Sequence, residues 1–160
     1  CASQCAIIVV VLGANKVESQ SEITDQNVHL VENSNWETGM ASSIKCGLNA
    51  LLDHQSDIDN AVILLCDQPF VDKHLLDSMI LKIERDRIGI VGCKYGDAVG
   101  APVLFNKRYF QDLLSLEGKE GAQKLLKMNA GDLSAVDFPQ GIVDIDTLED
   151  YQAFKGSLNA

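Results

Sequence analysis

AVILLCDQPFVDKHLLDSMI, residues 61–80, decides how the chain is read. Ala61, Val62, Ile63, Leu64 and Leu65 in a row describe a buried strand over 61–66, and Pro69 forces the chain to turn. Beyond the turn, Asp72 precedes Leu75, Leu76, Met79, Ile80 and Ile83, the spacing of a helix that hides one face. Between strand and helix stand Cys66, Asp67 and Gln68. A carboxylate at the tip of a buried strand is costly unless a cation or several hydrogen bonds meet it. Asp72 is the better placed of the two acids to cap the helix. Asp67 is then either an Asx-turn residue or a ligand for a cation.

Working outward, the same alternation repeats. CAIIVVVL at 5–12 is a β-branched run suited to a strand covered on both faces, as in parallel sheets. Asn15 can cap a polar helix reaching Glu22, and 27–32 is a second strand. Ser42 or Ser43 caps a helix with Ile44, Leu48, Leu51 and Leu52 on one face. Residues 88–93 form a fourth strand, 96–100 a glycine-bounded loop, and 101–105 a short strand. Helical patterns over 109–116 and 122–128 are separated by Gly118 and Gly121, and extended pieces follow at 133–138 and 142–145. Thr147 opens a last helix, with Asp150 three residues on as in a capping box. Strands alternating with helices, without repeats or linkers, predict one α/β domain on a mainly parallel sheet with helices on both faces.

The chain has 160 residues, 46% hydrophobic and 22% charged, enough for a real core. Its net charge of -10 argues against nucleic acid or an anionic membrane as partner, since phosphate backbones are held by clustered Lys and Arg. No apolar run is long enough to cross a bilayer. The five cysteines (Cys1, Cys5, Cys46, Cys66 and Cys93) form no C-x-x-C pair and are odd in number, which fits reduced, buried thiols in a cytoplasmic protein. His29, His54 and His74 lack zinc-ligand spacing.

Ligands of open α/β sheets collect at the carboxyl ends of strands, where Asp67 stands. Mg²⁺ suits such a place, because it takes one or two carboxylates plus phosphate oxygens. In VDIDTLEDY, Asp144 and Asp146 alternate with Val143 and Ile145, so both acids face one way and the apolar pair the other. They either complete a metal site beside Asp67 or complement the dipole of the last helix. In NSNWETGMASSIKCGL, residues 33–48, Gly39 permits close approach of a ligand, and Ser42 and Ser43 open a helix whose N–H groups suit a phosphate or ribose. Trp36 either stacks on a ring or plugs the loop; Met40 is either core or contact. GDAVGAP at 96–102 is either a plain turn or a substrate contact. The chain lacks a P-loop, a G-x-G-x-x-G, a nucleophile elbow and an H-E-x-x-H.

In order and spacing, NSNWETGMASSIKCGL, LLCDQPFV, GAPVLF and VDIDTLEDY, with the Gly121–Ala122 step, resemble the molybdenum-cofactor nucleotidyltransferases, within them the cytidylyltransferase branch. The resemblance covers nearly the whole chain. It implies a Rossmann-like nucleotidyltransferase fold and transfer of CMP from CTP to molybdopterin phosphate, with Mg²⁺ as cofactor. It further implies Asp67 and Asp146 as catalytic and metal-binding acids, and Gly39, Met40, Ser42 and Ser43 beside the nucleotide. Gln68, Gly100 and Pro102 would lie on the substrate side. A transient contact with a molybdoenzyme or its chaperone would follow. Guanylyl or other nucleotidyl transfer on the same fold, or a non-catalytic nucleotide-binding module, are the rival readings.

Two departures stand out. Leu148 occupies the position where the family has proline, a minor change at a helix start. The family's opening strand and glycine-rich loop with Arg and Lys, which grip the triphosphate, have no counterpart. The expectation is therefore that about forty further residues precede this sequence in the natural protein, supplying that strand and loop.

Overall fold

The computed structural model describes residues 5–23 and 27–157. Cys1 lies outside them. The elements run β1 (Ile8–Leu12), α1 (Lys16–Glu22), β2 (Val28–Glu32), α2 (Met40–His54), β3 (Asn60–Ile63), α3 (Lys73–Asp86), β4 (Ile90–Tyr95), β5 (Ala98–Asn106), α4 (Phe110–Leu114), α5 (Ala122–Met128), β6 (Leu133–Asp137) and α6 (Leu148–Ser157). Single 3-10 turns lie at Trp36–Thr38, Lys107–Tyr109, Ala130–Asp132 and Pro139–Ile142.

The α/β class holds, and the sheet is mixed. β3, β5, β4 and β6 lie side by side in that order. β5 is antiparallel to both its neighbours, while β4 and β6 are parallel. The cause is local. Tyr95 pairs with Ala98 across a two-residue turn, and Gly96, at φ 59°, supplies the left-handed backbone such a turn wants. The segment expected as a loop over 96–100 before a short strand is therefore a tight hairpin and a nine-residue strand.

Helices cover both faces of this sheet. Ala41, Ile44 and Leu48 of α2, Phe110 and Leu113 of α4, and Leu125 and Leu126 of α5 pack on Ala61, Ile90, Val103 and Phe105. Leu76, Met79 and Ile83 of α3 pack with Phe138 on Val91, Cys93 and Leu104 of the opposite face. Side chains alternate along β5 as strand geometry demands, Val103 and Phe105 to one side and Leu104 to the other. Burying each large side chain contributes about 1.5–3 kcal/mol. Asp72 caps α3, its side chain accepting from Leu75 N–H at 2.8 Å. The Thr147–Asp150 capping box closes as expected: Thr147 N–H donates to the Asp150 carboxylate at 2.9 Å, and Asp150 N–H to Thr147 Oγ1 at 3.1 Å.

β1 and β2 form a separate parallel pair. It is tied to the body through α2, where Val11 lies so close to Gly47 that a Cβ there would approach within 2.9 Å. Among the described residues, one edge of β1 and one edge of β3 have no strand partner. Ile8, Val9, Val10 and Val11 are only half-buried, so β1 is not covered on both faces as its composition predicts.

Further boundaries move for identifiable reasons. β3 ends at Ile63, opposite Val103, and Leu64, Leu65 and Cys66 lie exposed beyond it. The next partner in register is Pro102, which has no N–H to donate. α2 starts at Met40 with Gly39 before it, so Ser42 and Ser43 lie inside the first turn rather than at its cap. The pattern over 109–116 resolves into a 3-10 turn and the five-residue α4. Residues 142–145 form no strand: a 3-10 turn ends at Ile142, and Val143 is 37% exposed instead of facing the core. Cys46, Cys66 and Cys93 are free thiols. Cys93 is buried and Cys5 and Cys46 half-buried, but Cys66 is exposed.

Candidate active site

Because β3 stops at Ile63, the following residues leave the sheet and Asp67 sits in a turn at its carboxyl end. Three hydrogen bonds fix that turn. Asp67 C=O accepts from Ile145 N–H at 2.8 Å, holding the segment before α6 against it. Gln68 is 7% exposed, and its Nε2 donates to the carbonyls of Ala101, at 3.2 Å, and Gly141, at 3.3 Å. The Asp-Gln-Pro turn is thus stapled to β5 and to the 139–147 connection. Those two elements carry Gly100, Pro102, Asp144 and Asp146.

Within this frame the side-chain oxygens are underserved. Asp67 Oδ1 and Gln68 Oε1 are both buried and accept no hydrogen bond among the described residues. Flipping the Gln68 amide would not help, because Oε1 would then face two carbonyl oxygens. Asp144 belongs to the same field. Burial raises its carboxyl above the usual range, and the charges of Asp67 and then Asp146 raise it further. Asp144 is thus the acid that feels both Asp67 and Asp146. The alternation in VDIDTLEDY pairs the two acids but cannot say which one Asp67 acts upon.

A buried carboxylate oxygen without a donor, pressed by a second carboxylate, is the environment a hard cation relieves. Among the described residues no group of three or more His, Cys, Asp or Glu is assembled to enclose a metal alone. Asp67, with Asp144 beside it, would hold such an ion.

The 33–43 segment is organised by a residue the motif reading did not single out. Asn33 is 5% exposed, and its Nδ2 donates to Ser42 Oγ at 2.8 Å and Ser43 Oγ at 3.0 Å. Its Oδ1 accepts from Asn35 N–H at 3.0 Å. Ser42 Oγ contacts the carbonyls of Gly39, at 2.8 Å, and Asn35, at 3.0 Å. Both serine hydroxyls therefore build the loop. Gly39 adopts φ 116°, and a Cβ on it would collide with the Gly118 carbonyl, which accepts from Ala41 N–H at 3.2 Å. Met40 is 48% exposed beside Gly121. Trp36 sits against Gly13 at the end of β1, 43% exposed. Gly100 and Pro102 lie inside β5, both buried, on the strand that Gln68 grips.

Residues 1–135 match the family model of the MobA-like NTP transferase domain. No curated protein matches the chain significantly. Among solved structures, an Rv0371c homologue from Mycobacterium sp. strain JC1 is 21% identical with a TM-score of 0.76, over 98% of this chain and 77% of that one. Rv0371c of Mycobacterium tuberculosis H37Rv, solved as a complex with manganese, is 25% identical with a TM-score of 0.70, over 94% and 78%. Molybdopterin-guanine dinucleotide biosynthesis protein A of Archaeoglobus fulgidus is 13% identical with a TM-score of 0.66, over 94% and 78%. That model spans most of the chain, and the chain belongs to the MobA-like nucleotidyltransferase family.

Proposed function

We propose that the protein transfers CMP from CTP to the terminal phosphate of molybdopterin, releasing pyrophosphate, with Mg²⁺ as the metal. The observation that carries this reading is the buried, donor-less Oδ1 of Asp67 at the strand end, with Asp144 in its field. A phosphate oxygen of the acceptor attacks the α-phosphorus, and the bond to the bridging oxygen of the pyrophosphate breaks. The attacking oxygen is already ionised, so no side chain need remove a proton. The chain's contribution is alignment, supplied by an Asp67–Gln68 turn pinned at Ala101, Gly141 and Ile145. A divalent ion held by Asp67, with Asp144 or Asp146 completing the site, would neutralise charge on the phosphates and on the departing pyrophosphate. Rv0371c, a relative by fold, was solved with manganese, which supports a divalent ion in this fold.

Nucleotide contacts are assigned to Gly39, Met40, Ser42 and Ser43, the serines acting by shaping the loop. Acceptor contacts are assigned to Gln68, Gly100 and Pro102. No helix among the described residues is long and apolar enough to cross a membrane. The proposed setting is the cytoplasm, with transient delivery of product to a molybdoenzyme or its chaperone.

Pyrophosphate release by the full-length protein, compared for CTP, GTP and ATP with and without molybdopterin and Mg²⁺, tests the proposal. CTP should lead, and release should require both acceptor and metal. A preference for GTP would convert the reading to guanylyl transfer. Silence with all three nucleotides would sink catalysis in favour of a binding module.

A further inference from the structure

Tyr95 ends β4, and the chain makes room for it twice. A Cβ at Gly141 would lie 2.8 Å from Tyr95 Cδ1, and a Cβ at Gly100 would overlap the Tyr95 hydroxyl. The ring therefore lies against Gly141 with its hydroxyl over Gly100, on the two segments that Gln68 ties together. The hydroxyl makes no hydrogen bond among the described residues. Gln123, whose amide also reaches the space over Gly100, spends its Nε2 on Val99 C=O at 2.9 Å. Asp67 Oδ1, Gln68 Oε1 and the Asp144 carboxylate are all acceptors, and the first two receive no hydrogen bond among the described residues. Tyr95 brings the donor that this group otherwise lacks. Phenylalanine would fill the same space, so packing does not account for the hydroxyl.

We propose that the Tyr95 hydroxyl contacts the acceptor substrate, donating a hydrogen bond to an anionic phosphate oxygen of the group that receives the nucleotide, and so sets where that oxygen stands relative to Asp67. This rests on the nucleotidyl-transfer reading. A phenol, with an ordinary pKa of about 10, is a donor at neutral pH. A neutral donor also suits this place. It holds an anion beside two carboxylates without forming an ion pair with either.

The test pairs two variants of the full-length protein, Tyr95→Phe and Gly100→Ala, in pyrophosphate release with CTP, Mg²⁺ and molybdopterin. Y95F removes the hydroxyl and keeps the ring; G100A keeps the hydroxyl and displaces it. Each should raise KM for molybdopterin about tenfold or more while leaving KM for CTP within about twofold, and the melting temperature of Y95F should stay near wild type. The double variant should be about as impaired as the worse single variant, since both act on one contact. An acceptor KM for Y95F within about twofold of wild type, or losses that multiply in the double variant, would overturn the assignment and leave the transfer reading intact. Should wild type release no pyrophosphate, the transfer reading fails, and equilibrium binding of molybdopterin decides Tyr95. Weaker binding by Y95F upholds the contact; equal binding, or none by wild type, overturns it.

Discussion

Asp67→Ala separates stability from function in a way the structure makes quantitative. The turn that carries Asp67 is held through main-chain and Gln68 contacts, Ile145 N–H to Asp67 C=O and Gln68 Nε2 to Ala101 and Gly141, and the substitution removes none of them. What it removes is a buried acceptor with no donor, a defect worth about 1–3 kcal/mol. It also lifts the charge that presses on Asp144. In EDTA the variant should therefore unfold at or above the wild-type midpoint, by up to about 1–3 kcal/mol, or roughly 2–4 °C for each kcal/mol in a protein of this size. Activity should move the other way, falling at least about 1000-fold, because a carboxylate that places a cation on the reacting phosphates is worth several kcal/mol.

The two effects cross when ligand is added. Wild type with Mn²⁺ or Mg²⁺ and CTP at about 100 times the dissociation constant should gain near 2.7 kcal/mol, and the variant little. Paired urea titrations in EDTA and in metal with CTP, alongside pyrophosphate release, read all three numbers. A variant less stable than wild type in EDTA would show that the protein already satisfies Oδ1. An undiminished ligand-induced shift would place the metal elsewhere. Either result refutes the reasoning.

Gly39→Ala should destabilise by about 2 kcal/mol or more, measured by urea midpoint, since φ 116° and the Gly118 carbonyl both oppose a Cβ there. Asn33→Ala removes the donor to the Ser42 and Ser43 hydroxyls and the acceptor of the Asn35 N–H; a loss of about 2–3 kcal/mol and a raised KM for CTP are expected from melting and kinetics. The Asp132 carboxyl lies below its usual range: burial, the largest influence, raises it, but bonds from Tyr109 Oη, Arg108 and Gly89 N–H together outweigh burial. A depressed folded-state pKa gives stability that is full above the unfolded value of about 3.9 and lost as pH falls through the folded one. Urea midpoints taken from pH 6 down to pH 3 should fall more steeply for wild type than for Asp132→Asn.

The elements that rest on periodicity were legible in the sequence. Leu76, Met79 and Ile83 face inward from a helix that Asp72 caps, and Thr147 with Asp150 forms its box, because those signals depend only on residues a turn or less apart. The errors arise where a strand's fate depends on its partner. An apolar run over 61–66 cannot reveal that the residue opposite Leu64 is Pro102, nor can GDAVG show that it folds back as a hairpin. β1 is the instructive exception. Its composition is that of a strand enclosed on both faces, yet four of its five residues are half-buried and one edge is open. There the composition describes an environment that the described residues do not supply.

The site divides along the same line. Asp67 stands out in the sequence because a carboxylate after an apolar run is anomalous by itself, and the structure adds that its Oδ1 is buried without a donor among the described residues. Asn33 and Tyr95 are not anomalous in sequence; their roles arise from what faces them, Ser42 and Ser43 across nine and ten residues for one, Gly100 and Gly141 for the other. The glycines were the available signal, since each marks a place where another group comes too close for a Cβ, though which group is a tertiary fact. The charge pattern then explains why such neutral donors matter here. With a net charge of -10 and acids at the strand ends, a triphosphate cannot be held near Asp67 by these carboxylates alone. At an effective dielectric near 20, each phosphate charge about 4 Å from a carboxylate meets roughly 4 kcal/mol of repulsion. Hydroxyl and N–H donors soften that only in part. A divalent cation is therefore the condition under which the acids of this crevice and an anionic substrate can share it, which is why ligand-linked stabilisation should vanish with Asp67.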